Sequence, residues 1–191
     1  MTPGHVLAVM FLLTAGCDRP DEVKVQATYD ATTGKLTCLT ADVDKDGRID
    51  TWTYMDGTTP LRSEQDMNAD GKIERWEFSR SDGTALKVAL SRRQTGNPDI
   101  WMYLDAAGEP TRIESASRDS ANGEARIDRT EFYAAGRLTR LEEDTDGDGR
   151  VDKWERHDGP TLTSVEFDYD KDGRPDERIL FGPGGKVLSR Q

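Results

Sequence analysis

Residues 42–50 read Asp42-Val-Asp44-Lys-Asp46-Gly47-Arg-Ile-Asp50, with a carboxylate at every second position, a glycine, and one more carboxylate. The pattern returns three times. Its copies are Asp66-Asn68-Asp70-Gly71-Glu74, Asp144-Asp146-Asp148-Gly149-Asp152 and Asp168-Asp170-Asp172-Gly173-Asp176. Alternate side chains of a tightly curled loop converge on one point, and the glycine permits the sharp turn. The residue after each glycine (Arg48, Lys72, Arg150 or Arg174) offers its backbone carbonyl, so its charged side chain is no obstacle. Such a set of hard oxygens suits a cation that takes about six to eight of them at roughly 2.3–2.6 Å, namely Ca²⁺.

The four loops resemble the EF-hand-type calcium loop, and the second and fifth units match it through a glutamate at the twelfth place, Glu77 and Glu155. In the first and last loops that place holds Thr53 and Ile179, so the bidentate glutamate is missing. No amphipathic helix flanks any loop: Thr58-Thr-Pro60 precedes the second and Asp-Gly turns follow most. A helix–loop–helix sensor is thereby disfavoured. The arrangement is more similar to the Asp-rich repeats of thrombospondin type 3, or to dockerin-style loops set between strands. The competing reading of any single Asp-x-Asp-Gly is a solvated Asx-turn. Two middle units have lost the pattern and are expected to hold no tight site. In residues 91–99 Arg or neutral residues stand at ligand places, and residues 120–124 lack a glycine in register.

The elements that must carry these loops follow from an internal repeat. Asp50-x-Trp52, Glu74-x-Trp76, Asp99-x-Trp101, Asp128-x-Thr130, Asp152-x-Trp154 and Asp176-x-Arg178 are copies of one position, spaced by 24, 25, 29, 24 and 24 residues. All four tryptophans share that phase. Each unit runs from an acidic loop into an alternating segment, a turn such as Asp56-Gly57 or Asp82-Gly83, and a second alternating segment. Period-two alternation bounded by Asp-Gly turns predicts β-hairpins. The expected fold is all-β: an elongated meander of about six tandem hairpins with little or no helix outside the first residues. Its outline resembles YD-type and MORN-type hairpin repeats. The tryptophan stripe is expected to be core, ring stacking on ring between units, rather than a carbohydrate platform.

Composition sets the energetic problem. The chain has 37 acidic against 26 basic residues, a net charge of −11, and only 34% hydrophobic residues. Leu, Ile, Val and Phe supply 28 of the 175 residues after position 16, a share too small to fold a chain by apolar burial alone. An acidic chain is repelled by phosphate, which argues against a nucleic-acid partner. The four loops hold four, four, five and four of the acidic residues, a concentration that bound Ca²⁺ would offset. Calcium is therefore expected to be structural, with the calcium-free chain largely disordered.

An apolar run over residues 6–13 ends in Thr14-Ala15-Gly16-Cys17, which resembles the bacterial lipoprotein lipobox. The resemblance implies a signal peptide over residues 1–16, lipid on Cys17, a tether over 17–22 and one repeat domain over 23–191. It departs from the usual motif in having Thr14 where leucine is normal and no Lys or Arg before the run. The alternative is an ordinary export signal with Cys17 free to pair with Cys38. The resulting expectation is a calcium-binding, lipid-anchored protein of the bacterial envelope, with a structural role or an envelope protein or glycan as partner. The alternatives are an adhesion module and a calcium-dependent carbohydrate-active enzyme. Against an enzyme, the acids follow a repeated register, and the two histidines, His5 and His157, supply no nucleophile–base pair. His157 is expected to be an exposed surface residue.

Overall fold

The computed structural model describes residues 23–119 and 125–191. The expectations for the signal segment, lipidated Cys17 and the tether lie outside the described residues, as does the degenerate fourth loop over 120–124.

Fourteen strands form one antiparallel sheet in which each strand pairs with its neighbours in the chain. They are β1 (Lys24–Tyr29), β2 (Leu36–Asp42), β3 (Thr51–Asp56), β4 (Thr59–Gln65), β5 (Arg75–Ser79), β6 (Ala85–Leu90), β7 (Ile100–Leu104) and β8 (Pro110–Ser115). After a separate two-stranded ribbon of β9 (Arg118–Asp119) and β10 (Ala125–Arg126), the sheet continues. Its remaining strands are β11 (Arg129–Ala134), β12 (Arg137–Glu143), β13 (Lys153–Asp158), β14 (Thr161–Phe167), β15 (Glu177–Phe181) and β16 (Val187–Arg190). The helical content among the described residues is one 3-10 turn, Pro183–Gly185. The expected all-β meander of hairpins is what the chain forms.

Alternation of strand direction sorts the connections. Each of the four acidic loops, and the loop over residues 91–99, joins an even strand to the next odd one, so these line one end of the sheet, while the tight turns line the other. Consecutive loops are two strands apart, about 10 Å at the usual strand spacing. Each tight hairpin carries a register shift at the same place, as between Tyr54 and Met55, Phe78 and Ser79, or Arg156 and His157. The repeat thus extends to its bulges, which add local twist.

Among the described residues no second layer covers this sheet. The buried apolar side chains are Val88, Ala89, Ala116, Leu141 and Val165, fewer than the buried polar ones. The tryptophans are half-buried rather than core. They do not stack on one another either, because the register interposes other residues. Trp52, Glu64, Trp76, Ala89, Trp101 and Glu114 lie in one cross-strand row. The stacked ring pair among the described residues is Phe167 with Tyr169, centroids 5.7 Å apart.

The next row on the same face alternates aromatic and cationic residues: Tyr54, Arg62, Phe78, Lys87, Tyr103, Arg112, Phe132 and Arg140. Arg62 lies 4.6 Å over Tyr54, Lys87 4.6 Å over Phe78, Arg112 4.0 Å over Tyr103 and Arg140 4.0 Å over Phe132. The same arginines reach the glutamates of the first row, Arg62–Glu64 at 3.0 Å, Arg112–Glu114 at 3.1 Å and Arg140–Glu142 at 3.4 Å. Tyr54 and Tyr103 donate their hydroxyls to Glu64 and Glu114. Each contact of these kinds, across two strands or along one, is worth only about 0.2–1 kcal/mol, so stability here is spread over the whole width.

His157 departs from the sequence expectation. Its side chain is 12% exposed and its Nε2 lies 2.8 Å from Glu155 Oε2, because the strand turns it onto the face opposite the tryptophans. Cys38 is a free, half-buried thiol beside Tyr54, pushed up by burial and then by the charge of Glu64. Leu141, 1% exposed, is the largest apolar side chain to be fully enclosed. Leu141→Ala is expected to lower stability by about 2–3 kcal/mol in urea denaturation.

Candidate metal centres

Within each loop the residue at the fourth place takes a left-handed conformation, φ 65° at Lys45, 58° at Ala69, 81° at Gly147 and 64° at Lys171. The glycine at the sixth place does the same, φ 93° at Gly47, 86° at Gly71, 98° at Gly149 and 88° at Gly173. Only glycine adopts that region without a steric cost, which explains the fixed glycine. Two such turns in quick succession curl the chain so that alternate residues face inward.

Four groups of carboxylates converge among the described residues, their oxygens within 4.8 Å of one another: Asp42-Asp44-Asp50, Asp66-Asp70-Glu74, Asp144-Asp146-Asp152 and Asp168-Asp170-Asp176. These are the four loops singled out in the sequence. In three of them the first, third and ninth places meet; in the second loop Asn68 holds the third place and Asp70 from the fifth joins instead. Opposed ligands of a calcium ion coordinated at about 2.4 Å lie about 4.8 Å apart, so carboxylates this close could share one such ion.

The remaining acidic residues have other work. Asp46, Asp148 and Asp172 at the fifth place each accept an N–H from Arg48, Arg150 and Arg174, closing Asx-turns at 2.8–2.9 Å. Asp70 does the same for Lys72 at 2.9 Å. Both readings of the Asp-x-Asp-Gly signal therefore coexist: the turn engages one oxygen of the carboxylate. Glu77 and Glu155, the twelfth-place glutamates, lie on β5 and β13 outside the clusters. Glu77 pairs with Arg75 at 2.8 Å, and Glu155 with Lys153 at 2.7 Å and His157 at 2.8 Å. An EF-hand's exiting helix turns that glutamate back to the ion; here an extended strand leaves it paired with neighbours two residues away along the strand.

The ninth place carries a role the loop motif does not reveal. Asp50 accepts the N–H groups of Val43 and Asp44, Glu74 that of Met67, and Asp99 those of Arg92 and Arg93. Asp128, Asp152 and Asp176 accept those of Ser117, Thr145 and Tyr169. Burial works against the charge of Asp50, yet the donors of Asp44, Thr51 and Val43 outweigh it and hold the carboxyl below its usual range. The first place has a parallel duty, with Asp42, Asp66, Asp144 and Asp168 accepting the N–H of the sixth-place glycine at 2.8–3.0 Å. A legible signal was available: the ninth place is the one acidic position present in all six units.

Two carboxylate oxygens remain buried without a hydrogen-bond partner, Glu74 Oε1 and Asp42 Oδ1. An anionic oxygen withdrawn from water and given no donor is costly, and a cation is the natural remedy. Loop 3, over residues 91–99, solves the same problem internally. Arg93, at the third place, donates to the fully buried Asp99 at 2.9 Å and reaches Asp119 at 2.7 Å.

No protein-family model matches the chain, and no curated protein matches it. Among solved structures, it is similar to part of the accessory secretory protein 1, 2 and 3 structure from Streptococcus pneumoniae, at TM-score 0.41 and 12% identity over 57% of this chain. It is also similar to part of a mutant S. aureus TarM solved with fondaparinux, α-GlcNAc-glycerol and UDP, at TM-score 0.30 and 11% identity over 60% of this chain. In each case the match spans 19% of the other chain's length.

The clamp and the ligand roles separate by mutation. Asp99→Ala removes an acceptor of several donors in the loop whose cation is covalently part of the chain. It is expected to cost about 2–3 kcal/mol in urea denaturation whether or not calcium is present.

Proposed function

We propose that the protein is a calcium-binding, lipid-anchored repeat protein of the bacterial envelope, in which the ion rigidifies a sheet too poor in apolar residues to be firm alone. The observation that carries this reading is the pair of buried, partnerless oxygens on Glu74 and Asp42, each within a group of carboxylates close enough to share one cation. The ligands in this reading are the first, third or fifth, and ninth residues of the four loops, completed by loop carbonyls and water. Net charge supports it, since −11 falls towards −3 when four divalent ions bind. Extracytoplasmic calcium near ~10⁻³ M suffices for the ~10⁻⁴–10⁻³ M affinities of extracellular modules.

The export and lipid part rests on the residues from 14 to 17, Thr-Ala-Gly-Cys. Lipid on Cys17 would set the sheet close to a membrane surface, since few residues separate it from β1. The role is structural or partner-binding rather than catalytic: the acidic residues recur in register and are engaged in holding loops, which leaves no single reactive constellation. The partner class is an envelope protein or glycan.

Thermal melting monitored by far-UV circular dichroism and tryptophan fluorescence tests the calcium reading. One site with a dissociation constant a hundredfold below the free ion concentration adds about 2.7 kcal/mol. Calcium is thus expected to raise the melting temperature by several degrees and EGTA to reverse the gain. Identical melts in the two conditions would sink the proposal. Radiolabelled palmitate incorporation, lost in Cys17→Ser, checks the anchor separately.

A further inference from the structure

The sequence ranks the second and fifth loops as equals, both complete through the twelfth place. The structure separates them. In the second loop, Asp66 is 9% and Glu74 8% exposed, and Glu74 Oε1 has no donor within reach. In the fifth, the chain's own cations already neutralise the cluster. Arg126 donates to Asp144 Oδ2 at 3.1 Å, on a side chain only 4% exposed. Lys171, projecting from the sixth loop, bridges Asp146 and Asp148. Arg118 reaches the Thr145 carbonyl at 3.0 Å.

The fifth loop is shaped to receive these groups. Its fourth place is Gly147, where the other loops over residues 42–50, 66–74, 91–99 and 168–176 carry Lys45, Ala69, Gln94 and Lys171. A β-carbon on Gly147 would collide with the Arg118 guanidinium, and one on Gly149 would stand 2.6 Å from that of Arg126. Gly147, which the other loops lack, therefore leaves room for the Arg118 guanidinium, and Arg126 lies against the sixth-place glycine common to all four loops. Loop 3 carries the same substitution further, with Arg93 inside the loop it neutralises.

We propose, building on the calcium reading above, that the loops are filled by two kinds of cation. The second loop is the tightest divalent site: the first also holds a partnerless oxygen, on Asp42, but two carboxylates of the second loop's cluster are buried against one of the first's. The fifth is held by Arg126 and Lys171 and takes a divalent ion only by displacing them. A divalent ion entering the second loop meets an oxygen that has no other partner, so it gains a ligand without breaking a bond. An ion entering the fifth must first separate a nearly buried carboxylate from its guanidinium, and two exposed carboxylates from an ammonium. The array would thus answer rising calcium in sequence rather than at once, its C-terminal part holding its shape on internal ion pairs.

Calorimetric titration of the purified full-length chain with Ca²⁺ alone tests this. Glu74→Gln, which keeps the oxygen that accepts the Met67 N–H, is expected to abolish the tightest site, and Asp152→Asn to leave it intact. The double variant Arg126→Gln with Lys171→Met, distant from the second loop, is expected to strengthen one of the weaker sites about tenfold, what two partly exposed ion pairs are together worth. Loss of the tightest site in Asp152→Asn, or a double variant with no strengthened site, would overturn the ordering while leaving calcium binding itself standing. A wild-type chain that takes up no calcium would overturn the calcium reading, and the ordering with it.

Discussion

Everything in this molecule hangs on the carboxylate at the ninth place of each loop. It accepts backbone N–H groups from the start of its own loop, as Asp50 does from Val43 and Asp44. Its own N–H closes the loop onto the residue before the first place: Asp50 to Ala41, Asp99 to Leu90, Asp152 to Glu143. Its carbonyl accepts the N–H of the first residue of the next loop, as in Asp66 to Asp50, Ser91 to Glu74, Ala116 to Asp99, Asp144 to Asp128 and Asp168 to Asp152. One residue per unit therefore closes a loop, starts a strand and docks the next unit. Because this lock needs a single carboxylate and no ion, it survives in units three and four, where the ligand pattern has gone.

That lock compensates for the missing core. A single-layer sheet leaves both faces partly wet, and fourteen strands at the usual spacing span about 60 Å, with no helix layer behind them among the described residues. Stability in such an array is a sum over neighbours. The cross-strand rows supply it in small portions: aromatic against cation, cation against glutamate, tyrosine hydroxyl against the same glutamate. Tyr133 adds a pair along its own strand, its hydroxyl pushed up to about 12 by burial and by the Glu131 carboxylate beside it. High charge content is thus not simply a burden on this chain. Much of it is spent as internal pairs on the sheet faces, and the surplus is gathered at one end, where a divalent ion would be most useful.

The two halves of the acid inventory explain why a familiar loop pattern carried only partly into this fold. The places that make a tight curl, namely the first, fourth, sixth and ninth, obey local backbone geometry and behave alike wherever the loop is set. The twelfth place depends on the element that the loop leads into. Here those elements are the strands β5 and β13, so Glu77 and Glu155 become partners for Arg75, Lys153 and His157 two residues away on the same strand. A ligand set inferred from a loop flanked by helices therefore transfers only as far as the backbone that it shares.

Local information decided the repeat, the hairpins, the turns and the four acidic clusters, since period-two alternation, Asp-Gly turns and alternate carboxylates act within a dozen residues. Tertiary structure decided the rest. The tryptophans share one phase in the sequence, but antiparallel pairing places a strand between each pair, so Glu64 or Ala89 stands where a stacked ring was expected. The meander gathers these loops on one edge, and only then do Arg93, Arg126 and Lys171 reach carboxylates 26, 18 and 25 residues away. Which clusters are left to an outside cation is settled by those reaches between loops, and side-chain reach across neighbouring units is a property of the folded sheet alone.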